Sequence, residues 1–303
     1  MRYDAIIVGG SFAGLSAALY IARARRRVCV IDAGAPRNRF ADASHGFFTQ
    51  DGENPLAMIA AARAQLAGYP NASFVAGEAV SARAAGDGFA VSLAGGQRLE
   101  ASKLVLAFGI SDILPDLPGL AERWGASVLH CPYCHGFEFA GRMLGVLFAG
   151  PKSLHQAELI AEWGPTTLIL NGNPAPDAEA CTRLAARKIR IETGFVRALA
   201  GEGRALSALA MADGRTIPLE ALFVGPRYRL NSPLAEQLGC AVDEGMLGPT
   251  IRTDAMKETT IPGVYGAGDA ARFPHSVAWA SADDGVTAGV SLHQTLVFPR
   301  LAA

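Results

Sequence analysis

The sequence has almost no net charge and no long run of apolar residues. Lys and Arg total 27 and Asp and Glu total 28, which gives a formal net charge of -1. A chain balanced in this way does not attract nucleic acid or an anionic membrane over long range, so we expect neither as a partner. No apolar stretch is long enough to cross a bilayer, and the first residues do not resemble a signal peptide. We therefore expect a cytoplasmic protein.

Cysteine is scarce, and its spacing is informative. Three of the five cysteines stand alone: Cys29, Cys181 and Cys240. The other two, Cys131 and Cys134, form a Cys-x-x-Cys pair that His135 follows. At the start of a helix, this spacing allows a short disulfide, and the helix N–H groups stabilise a thiolate, so we interpret the pair as redox-active and catalytic. Zinc is the alternative, because His130 and His135 flank the pair, but no second Cys-x-x-Cys completes a closed site.

The first residues predict a nucleotide-binding unit. An apolar strand at 5–8 precedes a glycine-rich turn and a helical pattern, and a second strand ends at Asp32. Gly9 permits the tight turn, Gly14 permits close packing of the helix on the strand, and the helix start can hold a pyrophosphate. Ser11 replaces the usual middle glycine and is small enough to leave the phosphates accessible. Asp32 lies where a carboxylate binds a ribose hydroxyl.

The segment from Gly34 to Gly52 is too irregular, and too rich in polar and aromatic residues, for an ordinary connector. Long loops of this kind usually carry function. We expect it to wrap the ligand of the first unit, with Arg37 and Asn38 as hydrogen-bond donors and His45 near the reactive ring of the cofactor. A hydrogen bond that stabilises the loop is the alternative role for His45.

The strand–helix–strand pattern recurs in the middle of the chain, with strands at 143–148 and 167–170. We interpret the recurrence as a second Rossmann-like unit, which places the chain in the α/β class. Of the glycine motif that holds a dinucleotide, the turn of this unit retains only Gly150. Phe148 adds a bulky ring to the turn, and Pro151 removes an N–H donor. Neither an acidic residue nor an arginine pair follows its second strand, so we expect weak binding of a nicotinamide nucleotide.

A further motif precedes the last predicted helix, which starts at about Val277 and runs to about His293. In the run Gly266-Ala267-Gly268-Asp269, the aspartate follows a strand and a glycine turn. A carboxylate in that position can accept a hydrogen bond from a sugar-chain hydroxyl of a bound dinucleotide. We therefore predict that Asp269 binds the same cofactor as Asp32.

Together these motifs resemble the low-molecular-weight thioredoxin reductase family over nearly the whole chain, and most closely its dithiol oxidases of gliotoxin and holomycin pathways. The two glycine–aspartate motifs match the flavin domain of the family, as do Ala107-Phe108-Gly109 and Pro118-Gly119. Cys131 and Cys134 occupy the dithiol position. His135 agrees with the oxidase branch, which reads Cys-x-x-Cys-His-Gly, whereas reductases carry an aspartate there.

The resemblance implies two doubly wound Rossmann-like domains in a homodimeric protein with FAD as the cofactor. Residues 1–112 and 246–303 would form the FAD-binding domain, and residues 113–245 an inserted, degenerate NAD(P)-type domain with the Cys-x-x-Cys pair. The resemblance also adds these FAD-binding positions: Phe12, Ala13, Ala33, Ala107, Gly109, Gly268, Val277 and Ala278.

The resemblance further implies a mechanism in which Cys131 reacts with the substrate sulfur, Cys134 passes the electron pair to the flavin, and His135 moves the proton. With the nicotinamide motif missing, oxygen is the simplest acceptor. We therefore expect oxidation of a dithiol, either a small molecule or a thioredoxin-like protein. One alternative is a reductase that uses NADPH through unrecognised residues such as Lys152 or Arg183. The others are a flavoenzyme reduced by a ferredoxin or flavoprotein and a non-catalytic flavin redox sensor.

Overall fold

The computed structural model describes residues 2–298, and along these the chain alternates short strands with helices. The strands are β1 (Arg2–Val8), β2 (Val28–Asp32), β3 (Ala72–Ala76), β4 (Ala79–Ala85), β5 (Gly88–Leu93), β6 (Arg98–Leu106), β7 (Ile110–Ile113), β8 (Val128–Leu129), β9 (Leu144–Leu147), β10 (Thr166–Ile169), β11 (Arg190–Glu192), β12 (Val196–Ala200), β13 (Ala208–Met211), β14 (Thr216–Pro218), β15 (Ala221–Val224), β16 (Arg227–Leu230), β17 (Val242–Glu244), β18 (Pro249–Ile251) and β19 (Val264–Gly266). The α-helices are α1 (Phe12–Arg23), α2 (Pro55–Ala67), α3 (Pro132–His135), α4 (Lys152–Ile160), α5 (Ala178–Ala186), α6 (Leu234–Gln237), α7 (Val277–Trp279) and α8 (Val286–Val297). Within residues 2–298, none of these helices is long and apolar enough to span a bilayer.

Within the described residues the chain forms two compact units. Unit 1 consists of residues 2–39, 55–111 and 228–298, and unit 2 of residues 40–54 and 112–227. This division differs from the predicted domain limits in two respects. The chain returns to unit 1 at Tyr228 instead of at residue 246, and the loop 40–54 belongs to unit 2.

Unit 1 is built on a seven-stranded sheet with a parallel centre. The strand order is β3-β2-β1-β6-β5-β4, and β19 also pairs with β6. The strands β1, β2, β3, β6 and β19 run parallel, whereas β4 and β5 are antiparallel. Parallel strands covered on both faces are apolar throughout. Residues 5–8, 28–31 and 104–106 are accordingly buried, and none of them is more than 5% exposed. This arrangement confirms a Rossmann-like unit.

Unit 2 repeats the same topology on a smaller scale. Its five-stranded sheet has the order β11-β10-β9-β15-β8, and every neighbouring pair is parallel. A separate antiparallel sheet contains β12, β13 and β14. Helix α4 packs Ala157 and Ile160 into the core. The predicted fold class, α/β with two Rossmann-like units, is confirmed.

The C-terminal helical run of unit 1 is interrupted, unlike the single helix that the sequence predicts. A π-helix at Ala280–Gly285 joins α7 to α8, and α8 continues to Val297. The hydroxyl of Ser16 in α1 donates to the carbonyl oxygen of Ser281 at 2.6 Å, which attaches the π segment to the first helix. The π segment therefore lies beside α1.

Candidate active site

The turn between β1 and α1 forms a cradle that leaves no room for side chains. Gly9 has φ +117°, and a Cβ atom there would lie 2.1 Å from the carbonyl oxygen of Ala107. A Cβ atom on Gly10 would lie 2.5 Å from Cγ of Asp32. Ser11 precedes the first residue of α1, Phe12, so the backbone N–H groups of the helix start border this turn. These close approaches bring the predicted residues of the glycine motif, Ala107 and Asp32 together in unit 1.

Asp32 ends β2 and already accepts two hydrogen bonds. Its Oδ1 accepts the backbone N–H of Gly34 at 3.0 Å, and its Oδ2 lies 3.2 Å from Nη1 of Arg63. Arg63 also lies over the ring of Phe74, 4.4 Å from its centroid. No motif in the sequence selects Arg63, which lies in helix α2 outside any nucleotide pattern. Both groups orient the carboxylate of Asp32 through hydrogen bonds.

Asp269 joins the C-terminal motif to the same cradle. Arg37 donates to it through Nη1 at 3.0 Å, and both side chains are mostly buried. A Cβ atom on Gly268, which has φ +68°, would lie 2.9 Å from Cβ of Ala13. Next to Arg37, Nδ2 of Asn38 is buried and donates to no acceptor among the described residues. A buried donor without an acceptor fits a site that is completed by a polar ligand such as FAD.

The other predicted FAD positions lie in unit 1, with one exception. Ala33 follows Asp32, Val277 and Ala278 start the helical run of α7, and Gly109 follows β6 with φ +69°. Asn231, which sequence reasoning missed, donates its backbone N–H to the carbonyl oxygen of Gly109 at 3.2 Å. The exception is His45, which lies in unit 2.

Cys131 and Cys134 form a disulfide in unit 2, with Cα atoms 5.3 Å apart. Cys131 caps helix α3, and its Sγ accepts the backbone N–H of Cys134 at 3.1 Å. Such a bond stabilises a thiolate when the disulfide opens. The ring of His130 packs on Trp124, with centroids 5.8 Å apart. Across residues 2–298, no three His, Cys, Asp or Glu side chains are grouped to hold a metal ion.

His135 ends helix α3 as a half-buried side chain. Burial lowers its pKa below the ordinary histidine value, the charge on His45 lowers the pKa further, and Glu138 opposes both effects. Nε2 of His45 lies 3.4 Å from Oε1 of Glu138, and the rings of His45 and His135 meet edge to face at 6.1 Å. His135 is therefore neutral near neutral pH, which is the form that accepts a proton.

The remaining cysteines do not resemble a redox pair. Burial raises the pKa of Cys29 and of Cys240, which keeps both thiols protonated. Cys181 donates its Sγ–H to the carbonyl oxygen of Pro176 at 3.5 Å. The chemistry of a thiolate is thus concentrated at the Cys131–Cys134 pair.

In unit 2, the turn that corresponds to the glycine cradle uses two of its backbone N–H groups in hydrogen bonds within the turn. The backbone N–H of Ala149 donates to Oγ of Ser153 at 2.9 Å, and the N–H of Ser153 donates to the carbonyl oxygen of Gly150 at 2.9 Å. Pro151, at the helix start, has no N–H. Three of the positions that would hold a pyrophosphate therefore have no donor directed at a ligand.

The end of β10 also differs from a nucleotide site. Oδ1 of Asn171 accepts the backbone N–H of Val196 at 2.9 Å, so its side chain is committed to the fold. The ring of Phe195 occupies the space beside Gly172. Arg183, an alternative nucleotide ligand, pairs with Glu158 and Glu179, each at 3.1 Å. The ribose contacts of a dinucleotide are missing here.

Comparisons with known proteins agree on one family. A family model described as pyridine nucleotide-disulphide oxidoreductase matches residues 3–286. Thioredoxin reductase tcpT of Claviceps purpurea is 34% identical over 283 residues, which cover 88% of this chain and 86% of that protein. An oxidoreductase from Agrobacterium tumefaciens has a TM-score of 0.94 at 46% identity, with 99% of this chain and 100% of that chain covered. HlmI has a TM-score of 0.91 at 36% identity, with 98% and 93% covered.

Proposed function

We infer the function of this chain from its family: it belongs to the pyridine nucleotide-disulphide oxidoreductases, among their thioredoxin reductase-like members, and is a flavin-dependent enzyme. The predicted resemblance and the FAD cofactor are thereby confirmed. Within that family we propose a dithiol oxidase, which converts a dithiol to a disulfide through Cys131 and Cys134 and delivers the electrons to oxygen.

The observation that carries this proposal is the Cys131–Cys134 disulfide followed directly by a neutral histidine. His135 removes a proton from a substrate thiol, and the resulting thiolate attacks Sγ of Cys131. The bond between Cys131 and Cys134 breaks, and the electron pair leaves on Cys134. A mixed disulfide now joins the substrate to Cys131.

The second substrate thiol then completes the exchange. His135 releases the first proton to solvent and takes the proton of this second thiol. The thiolate attacks the substrate sulfur of the mixed disulfide, so that the substrate disulfide forms and Cys131 leaves. The N–H of Cys134, 3.1 Å from Sγ of Cys131, stabilises this leaving thiolate. Bound FAD supplies the two-electron acceptor that restores the disulfide, and oxygen then becomes hydrogen peroxide.

The proposed division of labour follows the two units. In unit 1, FAD would be held by the cradle at Gly9, by Asp32 and by the pair Arg37–Asp269, with Asn38 donating its unused N–H. Unit 2 would carry the dithiol chemistry. We propose a small-molecule dithiol or a thioredoxin-like protein as the substrate, and on the family resemblance a cytoplasmic homodimer.

The hydrogen-bond donors of the turn in unit 2 already have partners, which supports oxygen, and not a nicotinamide, as the electron-transfer partner of the flavin. A nicotinamide dinucleotide needs phosphate and ribose contacts. In the turn at 148–153, the N–H groups of Ala149 and Ser153 donate within the turn, and Asn171 accepts the N–H of Val196 in β12. A thioredoxin reductase that draws on NADPH would require contacts that these residues do not offer.

The roles of the two sulfurs can be tested with single substitutions. We expect the FAD-loaded Cys131→Ser variant to show a long-wavelength charge-transfer band, because the family resemblance assigns electron transfer to the flavin to Cys134, which would remain as a thiolate in this variant. The Cys134→Ser variant should lack this band. Absorbance spectra at neutral and alkaline pH make the comparison.

Both variants should lose dithiol oxidation, whereas Cys181→Ser, which changes a lone cysteine of helix α5, should keep it. A charge-transfer band in Cys134→Ser alone would exchange the roles of the two sulfurs. Full activity of either variant of the pair would refute the proposed disulfide exchange.

A further inference from the structure

His45 lies among three titratable side chains of unit 2. Its Nε2 is 3.4 Å from Oε1 of Glu138, and its Nδ1 is 3.8 Å from Oδ1 of Asp51. Its ring meets that of His135 edge to face, at an interplanar angle of 89° and a centroid distance of 6.1 Å. A histidine bordered by two carboxylates and a second histidine is placed to interact electrostatically with that second ring.

The loop that carries His45 is closed by its own contacts. Ser44 and Glu53 form an antiparallel bridge, in which the N–H of Ser44 donates to the carbonyl oxygen of Glu53 at 2.8 Å. Inside this bridge, the N–H of Gly46 donates to Oδ1 of Asp51 at 2.7 Å. Asp51 is therefore fixed on one side of His45 by the same loop.

A distant arginine fixes this loop within unit 2. Nη1 of Arg204 donates to both carboxylate oxygens of Asp42, at 3.1 and 3.2 Å, and Nη2 donates to the carbonyl oxygen of Phe40. Nη2 also lies 3.3 Å from the carbonyl oxygen of Trp124. His45 is thereby held in the unit of the disulfide, although its sequence position suggests the FAD domain.

We infer that His45 is a positioning residue for the His135 base: held by Glu138 and Asp51, it keeps His135 in its proton-accepting form between turnovers. The inference rests on the proposed dithiol oxidation, in which His135 takes the proton of the substrate thiol. It adds a role beside His135 to the prediction that His45 lies near the reactive ring of the cofactor, which stays a prediction.

The charges around His135 act in opposite directions. A positive charge on His45 lowers the pKa of His135, and the negative charge of Glu138 raises it. Asp51 faces His45 from the other side, and the Cys131 and Cys134 thiols join the group once the disulfide opens. When His45 carries a positive charge, that charge repels the proton taken by His135 and favours its return to solvent before the next substrate binds.

The test uses His45→Gln and Glu138→Gln, which keep polar side chains and remove the charge. The rate of anaerobic flavin reduction by dithiothreitol is measured against pH in the FAD-loaded enzyme. This rate falls when His135 is protonated, so its acid limb follows the pKa of His135. We expect His45→Gln to move the limb to higher pH and Glu138→Gln to move it to lower pH, each by on the order of one unit.

His155→Gln is the matched control, because His155 lies exposed on helix α4 of the same unit, and its limb should stay in place. An NMR titration of the His135 ring in the oxidised holoenzyme gives the same shifts without turnover. It therefore separates this inference from the proposed function, which fails if dithiothreitol does not reduce the wild-type flavin. The role of His45 would be overturned if the acid limb of the pH–rate profile and the His135 titration stayed in place in both variants. It would also be overturned if both variants shifted the pKa of His135 in the same direction.

Discussion

Replacement of His135 by alanine is expected to slow the anaerobic reduction of bound flavin by dithiothreitol about a hundredfold or more near neutral pH. Burial keeps His135 neutral, so it can take the substrate proton, and alanine cannot. The FAD content should not change, because His135 belongs to unit 2, whereas the residues proposed to bind FAD belong to unit 1. Stopped-flow absorbance of the flavin measures the rate.

The pH dependence distinguishes a lost base from a lost structure. As pH rises, a growing share of dithiothreitol is already a thiolate, so the deficit of His135→Ala should shrink. His155→Ala should match the wild type at every pH. A variant rate within about twofold of the wild type, far below the effect of a general base, would make His135 structural.

Millimolar NADPH is expected to reduce the flavin slowly or not at all in the absence of oxygen. Unit 2 lacks the phosphate donors at Ala149, Pro151 and Ser153, and Asn171 holds β12 instead of a ribose. Each missing charged hydrogen bond is worth about 1.5–3 kcal/mol. At about 1.4 kcal/mol per decade, the loss of two or three contacts weakens binding by several powers of ten.

Anaerobic titration of the FAD-loaded enzyme with NADPH and then with NADH tests this expectation. Dithionite serves as the positive control for a flavin that can be reduced. Fast, stoichiometric bleaching by NADPH would show that a nicotinamide site exists, and the enzyme would then be a reductase.

The glycine cradle could be predicted from the sequence because one short motif, Gly9 to Gly14, carries its backbone requirements. A backbone that comes too close to a neighbouring group to leave room for a Cβ atom requires glycine. Gly9 lies this close to Ala107, and Gly10 lies this close to Asp32. The parallel strands were likewise visible as apolar runs. The same reasoning from Phe148 and Pro151 found the altered turn in unit 2.

The surroundings of His45 could not be predicted, because the contacts that fix them are long-range. Asp42 and Arg204 are 162 residues apart, and neither belongs to a recognisable motif. Glu138 follows the Cys-x-x-Cys pair, yet nothing in the sequence connects it with the loop at 40–54. Its position in the sequence placed this loop in the predicted FAD-binding domain, whereas the structure groups it with residues 112–227.

The π segment of the C-terminal run was missed for a different reason. Residues 280–285 are compatible with an ordinary helix by pattern, and the insertion depends on packing. Ser281 offers its carbonyl oxygen to Ser16 of α1, a contact between the two ends of the chain. Only the folded structure brings that partner into place.

The most direct test of the central claim is the stoichiometry of dithiothreitol oxidation in air without any nicotinamide. Oxygen consumption, hydrogen peroxide and oxidised dithiothreitol are measured together on the FAD-loaded enzyme. The proposed function predicts sustained turnover with one oxygen consumed and one hydrogen peroxide formed per disulfide. Flavin that stays oxidised with dithiothreitol, or that stays reduced when air is admitted, would contradict it.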